Sequence, residues 1–263
     1  MSSIKYYTSF DQDFATTRQQ DLRLPKNYRW LHHNFIYKLF AALLYPLVVL
    51  LDLIYMKFFG HITIKNRRLL RQARRHGGYY LYSNHTLLFG DVVNPFVLTF
   101  PTHPYLVCSP SNLGIPVLGP LLPMAGALPI PNQLHAMKDF TAAITTRIKQ
   151  HKAIIIYPES HLWPYCTQIR PFADAAFHYP LKYPAPVYVA TTTFQKSCFH
   201  KKPRITIYLD GPFLPDRKLP RKQAQTRLHN QVHQTMQSRA KNSTYDFISY
   251  RPQPKPQPKS QSR

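Results

Sequence analysis

Short apolar runs alternate with segments of helical periodicity along most of the chain. The clearest helical pattern covers about residues 133–149, where apolar side chains recur on one side and basic ones lie elsewhere. Runs rich in Val, Ile and Tyr that are too short for helices predict buried strands, at residues 79–83, 105–109, 153–157, 187–194 and 204–209. Strands that alternate with helices predict an α/β fold with a mostly parallel central sheet flanked by helices.

One apolar segment precedes the first of these strands. Leu39–Leu51 contains thirteen uncharged residues, fewer than the roughly 20 that span a bilayer as a helix. Extension to Gly60 gives the length but includes Asp52 and Lys57, and Pro46 inside it favours a kink. Basic residues flank both sides, so the positive-inside rule does not orient a single span. We expect a membrane-associated kinked helix or helical hairpin over about 36–60, seated in one leaflet with both ends cytoplasmic; the alternative is a buried core helix.

Two further segments predict basic amphipathic helices. Arginines at 67, 71, 74 and 75 recur at helical spacing directly after the apolar segment, a pattern that favours contact with anionic headgroups. Residues 217–241 lack acidic side chains and carry an apolar stripe of Ala224, Leu228, Val232 and Met236. This stripe fits packing on the sheet or binding to a membrane. From about residue 251 the chain is rich in Pro and basic residues, which predicts a disordered tail.

Composition bounds the organisation and the partners. The chain has 263 residues, 34 Lys+Arg against 11 Asp+Glu and a formal net charge of +23, which favours an anionic partner. We expect an N-terminal segment over 1–60, one catalytic α/β domain over 61–241 and a C-terminal segment over 242–263. The three cysteines lack metal-site spacing, so neither a disulfide framework nor a metal site is predicted. The N-terminus lacks the pattern of a secretory signal, and we expect no export.

Two ionisable residues directly follow predicted strands. His85 comes after residues 79–83, and Glu159 comes after residues 153–157. Because reactive groups of open α/β sheets collect beyond the carboxyl ends of strands, both are expected to face one cleft. A neutral histidine can take a proton from an alcohol, and a carboxylate such as Asp91 can hold the imidazole in the productive tautomer.

Four sequence blocks occur in a fixed order around these residues. The first, third and fourth are SNHTLLFGD, YPESHLWPYCTQIRPF and PAPVYVA, and LGIPVLGPLLPMAGALPIP lies in the second place. Over about residues 79–195 they resemble the motifs of the lysophospholipid and glycerol-phosphate acyltransferases, which include the bacterial 1-acylglycerol-3-phosphate acyltransferases. In that family the first motif is a His and an Asp separated by four residues, usually after Asn, and the third contains Phe-Pro-Glu. The resemblance assigns Asn84, His85 and Asp91 to the first motif and Glu159 to the third.

The resemblance implies a glycerol-phosphate acyltransferase-like fold and an acyl transfer reaction. A fatty acyl group would pass from an acyl thioester, carried by coenzyme A or acyl carrier protein, to the hydroxyl of a lysophospholipid or glycerol-phosphate-type acceptor in phospholipid synthesis. His85, oriented by Asp91, would deprotonate that hydroxyl, and Asn84 and Glu159 would contact substrate. No cofactor or metal is implied. An anionic phospholipid membrane is the expected partner, at the cytoplasmic face of the cell membrane.

The chain departs from the family pattern in two places. Five residues rather than four separate His85 from Asp91, and we expect Gly90 to absorb the extra residue in a backbone bulge. The second block lacks the family's phosphate-binding arginine. Any phosphate contact would therefore come from Arg170, Lys138 or Arg147.

Aromatic residues beside Glu159 and the high charge lead to further interpretations. Trp163 and Tyr165 are candidates for a wall of the acyl or acceptor pocket. A basic, tyrosine-rich chain is also compatible with nucleic-acid binding, but the chain has no such motif and the apolar segment would have no purpose, so no specific nucleic acid is expected. The altered His–Asp spacing leaves open a membrane-bound relative that has lost catalysis.

Overall fold

A computed structural model of the protein describes residues 3–14, 22–198 and 200–254. The strands are β1 (Ser3–Tyr7), β2 (Ile62–Lys65), β3 (Tyr79–Ser83), β4 (Pro104–Cys108), β5 (Ala127–Pro129), β6 (Ala153–Ile156), β7 (Val187–Gln195), β8 (Arg204–Phe213) and β9 (Ile248–Pro252). The α-helices are α1 (Phe35–Ile54), α2 (Arg68–His76), α3 (Gly90–Thr99), α4 (Leu122–Ala125), α5 (Met137–Lys149), α6 (His178–Lys182) and α7 (Arg221–Ala240).

A seven-stranded sheet organises the chain, in the order β2-β8-β7-β3-β6-β4-β5. Neighbouring strands are parallel except for β7 and β8, which form an antiparallel pair. Every residue of β3 is buried, because that strand lies between β6 and β7 and both of its faces are covered. These features confirm the predicted α/β fold with a mostly parallel central sheet.

Successive side chains of β3 point to opposite faces of the sheet and enter two different cores. Tyr80 and Tyr82 pack with residues of α5, α6 and α7, whereas Tyr79 and Leu81 pack with residues of α2 and α3. The predicted apolar stripe of α7 is buried, and its residues Leu228, Val232 and Met236 belong to the first of these cores. Helices therefore cover both faces of the sheet, and α7 uses its apolar side for packing on it.

The segment after Asn34 forms one continuous helical element. Asn34 caps α1 by accepting from two backbone N–H groups, α1 runs through Pro46, and a π-helical turn continues it over Tyr55–Phe59. The hairpin prediction is wrong, because no turn reverses the chain there and the first glycine after Asn34 is Gly60. By length and composition Phe35–Phe58 could cross a membrane, and 17% of its apolar window is buried. The buried core helix alternative does not fit this exposure.

The N-terminal segment is not separate from the main domain. Leu24 and Trp30 are buried in the core that α5 and α7 share, and the Trp30 indole N–H donates to the Pro129 carbonyl at 2.9 Å. One side of α1 packs on α3 and α4 through residues that include Val49, and Met56 of the following π-helical turn is buried in the same cluster. The predicted boundary at residue 60 therefore marks no structural boundary.

The two ends of the described chain form a second, two-stranded sheet. β1 pairs with β9 in parallel, with Ser3 opposite Ile248 and Tyr7 opposite Pro252. The prediction that disorder begins at about residue 251 is wrong for Arg251 and Pro252, because their backbone belongs to this ladder. The rest of the predicted tail, residues 255–263, lies outside the described residues.

Candidate functional site

The candidate site lies at the carboxyl end of β3. Asn84 follows this strand and is buried: its side-chain amide donates to the Thr192 carbonyl at 3.1 Å, and its side-chain oxygen accepts from the Thr192 N–H at 2.8 Å. These paired bonds attach the start of the 84–89 loop to β7. The next residue, His85, is therefore held just beyond the carboxyl end of β3. Asn84 was predicted to contact substrate. In the structure both polar atoms of its side chain bond to the Thr192 backbone instead.

His85 and Asp91 form a hydrogen-bonded pair. His85 Nδ1 lies 2.8 Å from Asp91 Oδ2, and the side chains are 23% and 5% exposed. As a carboxylate, Asp91 only accepts hydrogen bonds, so Nδ1 carries the hydrogen, and in the neutral imidazole Nε2 is the nitrogen with the lone pair. This arrangement presents a base that is partly open to the surface and is oriented by a buried acidic group.

The same carboxylate oxygen also fixes the loop between the two residues. Asp91 Oδ2 accepts from the backbone N–H groups of Thr86 and Leu87 at 2.7 and 2.8 Å. Asp91 lies in the first turn of α3, and His85 lies in the loop before that helix. The extra residue relative to the family spacing is therefore accommodated in a loop, where helical register does not apply.

Gly90 contributes in a way that differs from the predicted bulge. It is the first residue of α3, and it is not among the residues with a positive φ. A Cβ at this position would lie 2.8 Å from Asn94 Nδ2 and 2.9 Å from Leu87 Cδ1. A larger residue here would displace the side chains of Asn94 and Leu87, so glycine permits close packing of the loop against the helix without an unusual backbone angle.

Tyr157 forms the wall behind the imidazole. Its ring stacks on His85 with centroids 4.6 Å apart, and its hydroxyl donates to the Asp91 carbonyl at 2.6 Å. Desolvation, with a smaller contribution from Asp91, raises the pKa of Tyr157, which keeps the hydroxyl a donor. Tyr157 was not predicted as a site residue, although it directly precedes the Pro-Glu of the third block.

A buried ion pair supports the backbone of His85. Glu159 Oε2 accepts from the His85 N–H at 3.0 Å and from Arg170 Nη2 at 3.0 Å, and Oε1 accepts from the Arg170 N–H at 2.8 Å. The two side chains are almost fully buried. Both carboxylate oxygens of Glu159 bond to groups within the protein. Glu159 and Arg170 therefore lie behind the His85–Asp91 pair, called the dyad below, instead of at a substrate surface.

Trp163 and Tyr165 hold the far side of the same loop. The Trp163 N–H donates to the His85 carbonyl at 3.2 Å, and the Tyr165 N–H donates to the Thr86 carbonyl at 2.8 Å. The Trp163 ring is buried and lies 4.8 Å from the Arg170 guanidinium carbon. Both residues were predicted to form a pocket wall. In the structure their backbone N–H groups instead connect the third sequence block to the first.

The other candidate phosphate contacts lie on α5. Arg147 is placed over the Tyr105 ring at 4.3 Å and donates to the Gln150 side chain, and Lys138 is exposed. In the part of the chain that the structure describes, neither residue forms a hydrogen bond or an ion pair with His85 or Asp91. The structure therefore brings together the dyad, Glu159 and Arg170, but it does not bring these two basic residues to the dyad.

We expect Arg170→Met to lower the free energy of unfolding by about 3–5 kcal/mol, because the Glu159 charge is then buried without its partner. Chemical denaturation followed by circular dichroism measures this change. The Arg170→Met/Glu159→Gln double variant should recover part of the loss, since the amide carries no buried charge and its oxygen still accepts from one of the two backbone N–H groups. Lys222→Met, which breaks the exposed pair with Asp174, should cost about 0–1 kcal/mol. Equal losses for Arg170→Met and Lys222→Met would contradict this prediction.

Comparison with known proteins supports the fold. No protein-family model and no curated protein matches the sequence. A solved structure that is similar in fold is the 1-acyl-sn-glycerophosphate (LPA) acyltransferase PlsC from Thermotoga maritima, with a TM-score of 0.55. The similarity covers 82% of this chain and 86% of that chain, at 12% sequence identity. The chain therefore has a PlsC-like α/β fold.

Proposed function

We propose that this protein is an acyltransferase that acts on a lysophospholipid or glycerol-phosphate-type acceptor. The observation that carries the proposal is the hydrogen bond between His85 Nδ1 and Asp91 Oδ2, which leaves Nε2 without a hydrogen-bond partner among the described residues, at a partly exposed position. The fold that the chain shares with an acyltransferase supports the same reaction class. Asn84, Glu159, Arg170, Trp163 and Tyr165 support this reaction by fixing the loop that carries His85.

The reaction is a direct transfer between an alcohol and a thioester. His85 Nε2 takes the proton of the acceptor hydroxyl while the oxygen attacks the thioester carbonyl. The new C–O bond forms and the C–S bond breaks, and the imidazolium returns its proton to the leaving thiolate. Coenzyme A or acyl carrier protein is the proposed carrier of the acyl group.

The surroundings of His85 fit a lipid substrate. Leu88 and Phe89 directly follow the loop residues that Asp91 fixes, and they are 67% and 53% exposed. The Phe89 ring contacts Tyr55 at the end of the long apolar helix, with centroids 5.0 Å apart. Exposed apolar side chains therefore continue from α1 to the immediate neighbourhood of the dyad. A lipid acceptor would reach the imidazole without leaving an apolar environment.

The proposed location is the cytoplasmic face of the cell membrane, with anionic phospholipids as partners. One side of α1 exposes a row of apolar residues: Phe35, Leu39, Leu43, Leu47, Leu50 and Leu51. The basic helix α2 contacts α3, which in turn packs on α1. Cationic side chains of α2 would thus lie near the headgroups when the exposed row of α1 enters the acyl region.

The proposed activity is tested with a panel of acceptors. Purified full-length protein is incubated with mixed lysophospholipids, glycerol phosphate and a labelled acyl thioester, and the labelled product is identified by mass spectrometry. The expected result is label in the acylated form of one acceptor, a diacyl phospholipid from a lysophospholipid or a monoacyl glycerol phosphate from glycerol phosphate. Release of labelled free fatty acid without any acylated acceptor would contradict transfer.

We expect the triple variant Leu43→Glu/Leu47→Glu/Leu51→Glu to lose at least about 100-fold in vesicle affinity, because each leucine contributes about 1.5–3 kcal/mol when buried. Co-sedimentation with phosphatidylglycerol and phosphatidylethanolamine vesicles measures the change. The control places the same charge on the exposed side of α7, as Gln223→Glu/Gln234→Glu/Gln237→Glu. Equal losses for the two triple variants would show that net charge, rather than α1, controls binding.

A further inference from the structure

The two-stranded terminal sheet lies against the segment that supports His85. We call β1, residues 8–14 and β9 the terminal clasp. The Trp163 indole N–H donates to the Gln12 carbonyl at 2.7 Å, and the Tyr250 hydroxyl donates to the Pro164 carbonyl at 2.8 Å. The Phe14 N–H also donates to the Leu162 carbonyl at 3.3 Å. Hydrogen bonds from both ends of the chain therefore converge on residues 162–164.

Aromatic rings of the clasp surround the Trp163 indole. Tyr250 stacks on it at 4.7 Å, Tyr7 contacts it at 4.9 Å and Phe14 meets it edge-on at 5.2 Å between ring centroids. The Arg170 guanidinium also contacts this ring, at 4.8 Å. Such contacts between rings contribute about 0.5–1.5 kcal/mol each beyond the burial of area. The clasp thus restricts the position of Trp163.

Trp163 lies between the clasp and the dyad loop. Its backbone N–H donates to the His85 carbonyl, while the Arg170 that contacts its ring bonds to Glu159, which accepts from the His85 N–H. Both peptide groups of His85 are therefore held by groups that depend on the position of Trp163. Loss of clasp contacts would release the peptide groups that fix the imidazole.

We propose that Tyr250 and Tyr7 of the terminal clasp are positioning residues for His85, acting through Trp163. This inference rests on the proposed function for its kinetic consequence, but its structural consequence is independent of activity. The clasp does not contact the reacting atoms. Its effect is on the geometry of the base, which enters kcat, while the acceptor and donor surfaces that determine KM stay unchanged.

The test compares Tyr250→Ala with a conservative and a matched variant in the full-length protein. Tyr250→Phe keeps the stacked ring, and Tyr183→Ala removes a partly exposed tyrosine at the end of α6, outside the clasp. Hydrogen–deuterium exchange of the backbone amides of residues 85–87 is measured together with kcat and KM. For Tyr250→Ala we expect exchange to rise and kcat to fall by about tenfold each, with KM within about twofold.

Unlike Tyr250→Ala, the two control variants should behave nearly as the wild-type protein does. Tyr250→Phe should restore kcat to within about threefold of the wild-type value, and Tyr183→Ala should leave exchange at residues 85–87 unchanged. Tyr7→Leu, which keeps apolar volume but removes one ring from Trp163, is the second clasp variant and should change exchange in the same direction. It decides the question if Tyr250→Ala fails to fold.

Two results would overturn the proposal. The first is wild-type exchange at residues 85–87 in both clasp variants, and the second is an equal rise in exchange in Tyr183→Ala. A wild-type protein without acyl transfer would contradict the proposed function alone, because the exchange measurement still shows whether the clasp holds the loop of His85.

Discussion

We expect His85→Ala to lower kcat for acyl transfer by about 10³–10⁴-fold, because the variant lacks the group that removes the proton from the acceptor hydroxyl. The hydroxyl would then have to attack the thioester without a base in hydrogen-bond reach. His85 is partly exposed, and its ring nitrogens bond within the protein only to Asp91 in the described residues. The fold should therefore be retained. Transfer of label from the thioester to the acceptor, measured at saturating substrate, gives the change in kcat.

The matched control for this variant is His135→Ala. His135 is an exposed histidine in the 3-10 turn Leu134–Ala136, away from the carboxyl end of β3. Its replacement should leave kcat within about twofold, since surface substitutions outside special features change little. Undiminished turnover in His85→Ala, with a thermal transition equal to that of the wild type, would contradict the assignment of His85 as the base.

Asp91→Asn is expected to lower kcat by about 10³–10⁴-fold while leaving most of the stability in place. The asparagine oxygen can still accept from the N–H groups of Thr86 and Leu87, so the loop keeps its backbone bonds. The neutral amide cannot stabilise the imidazolium that forms during proton transfer, although its oxygen, in the place of Oδ2, can still accept from His85 Nδ1. Steady-state kinetics measures the loss of kcat, and thermal unfolding measures how much stability is kept.

Asp91→Ala provides the contrast that makes the result specific. This variant leaves two buried N–H groups without an acceptor, which costs about 1–3 kcal/mol for each group. Its free energy of unfolding should therefore fall well below that of Asp91→Asn. If Asp91→Asn retained full activity, Asp91 would serve only to shape the loop, and the orientation of His85 would need another explanation.

The sequence predicted five of the seven strands of the central sheet, and the best defined of these are the buried inner ones. β3, β6 and β7 are buried on both faces, so their apolar runs stand out from their surroundings. The predicted strand at 105–109 occurs at Pro104–Cys108, a displacement of one residue. β2 and β5 contain four and three residues, which is too few for a recognisable pattern.

The terminal sheet was not predictable from local pattern. β1 is mostly exposed, and its partner β9 lies at residues 248–252. Backbone hydrogen bonds between β1 and β9 hold these two strands together. Such pairing depends on two distant segments meeting in space and not on apolar residues in either segment. For the same reason, the Pro-rich composition near residue 251 predicted disorder where the structure has a strand.

The site was predictable in its residue types but not in its contacts. Strand ends indicated His85 and Glu159, and the resemblance added Asp91, yet residue spacing alone could not show how a loop closes the dyad. The carboxylate of Glu159 could equally have faced a substrate or the protein interior. Its bond to Arg170 is between residues eleven positions apart in an irregular segment, where no periodicity predicts which side chains meet.

The parallel pairing of β1 with β9 also has a consequence for biosynthesis. The stretch around Trp163 is translated long before Tyr250, and α1 is translated earlier still. During translation, the apolar helix can therefore reach a bilayer while the indole still lacks its covering ring. The loop that carries His85 acquires its full support only after residues 248–252 have left the ribosome and paired with β1.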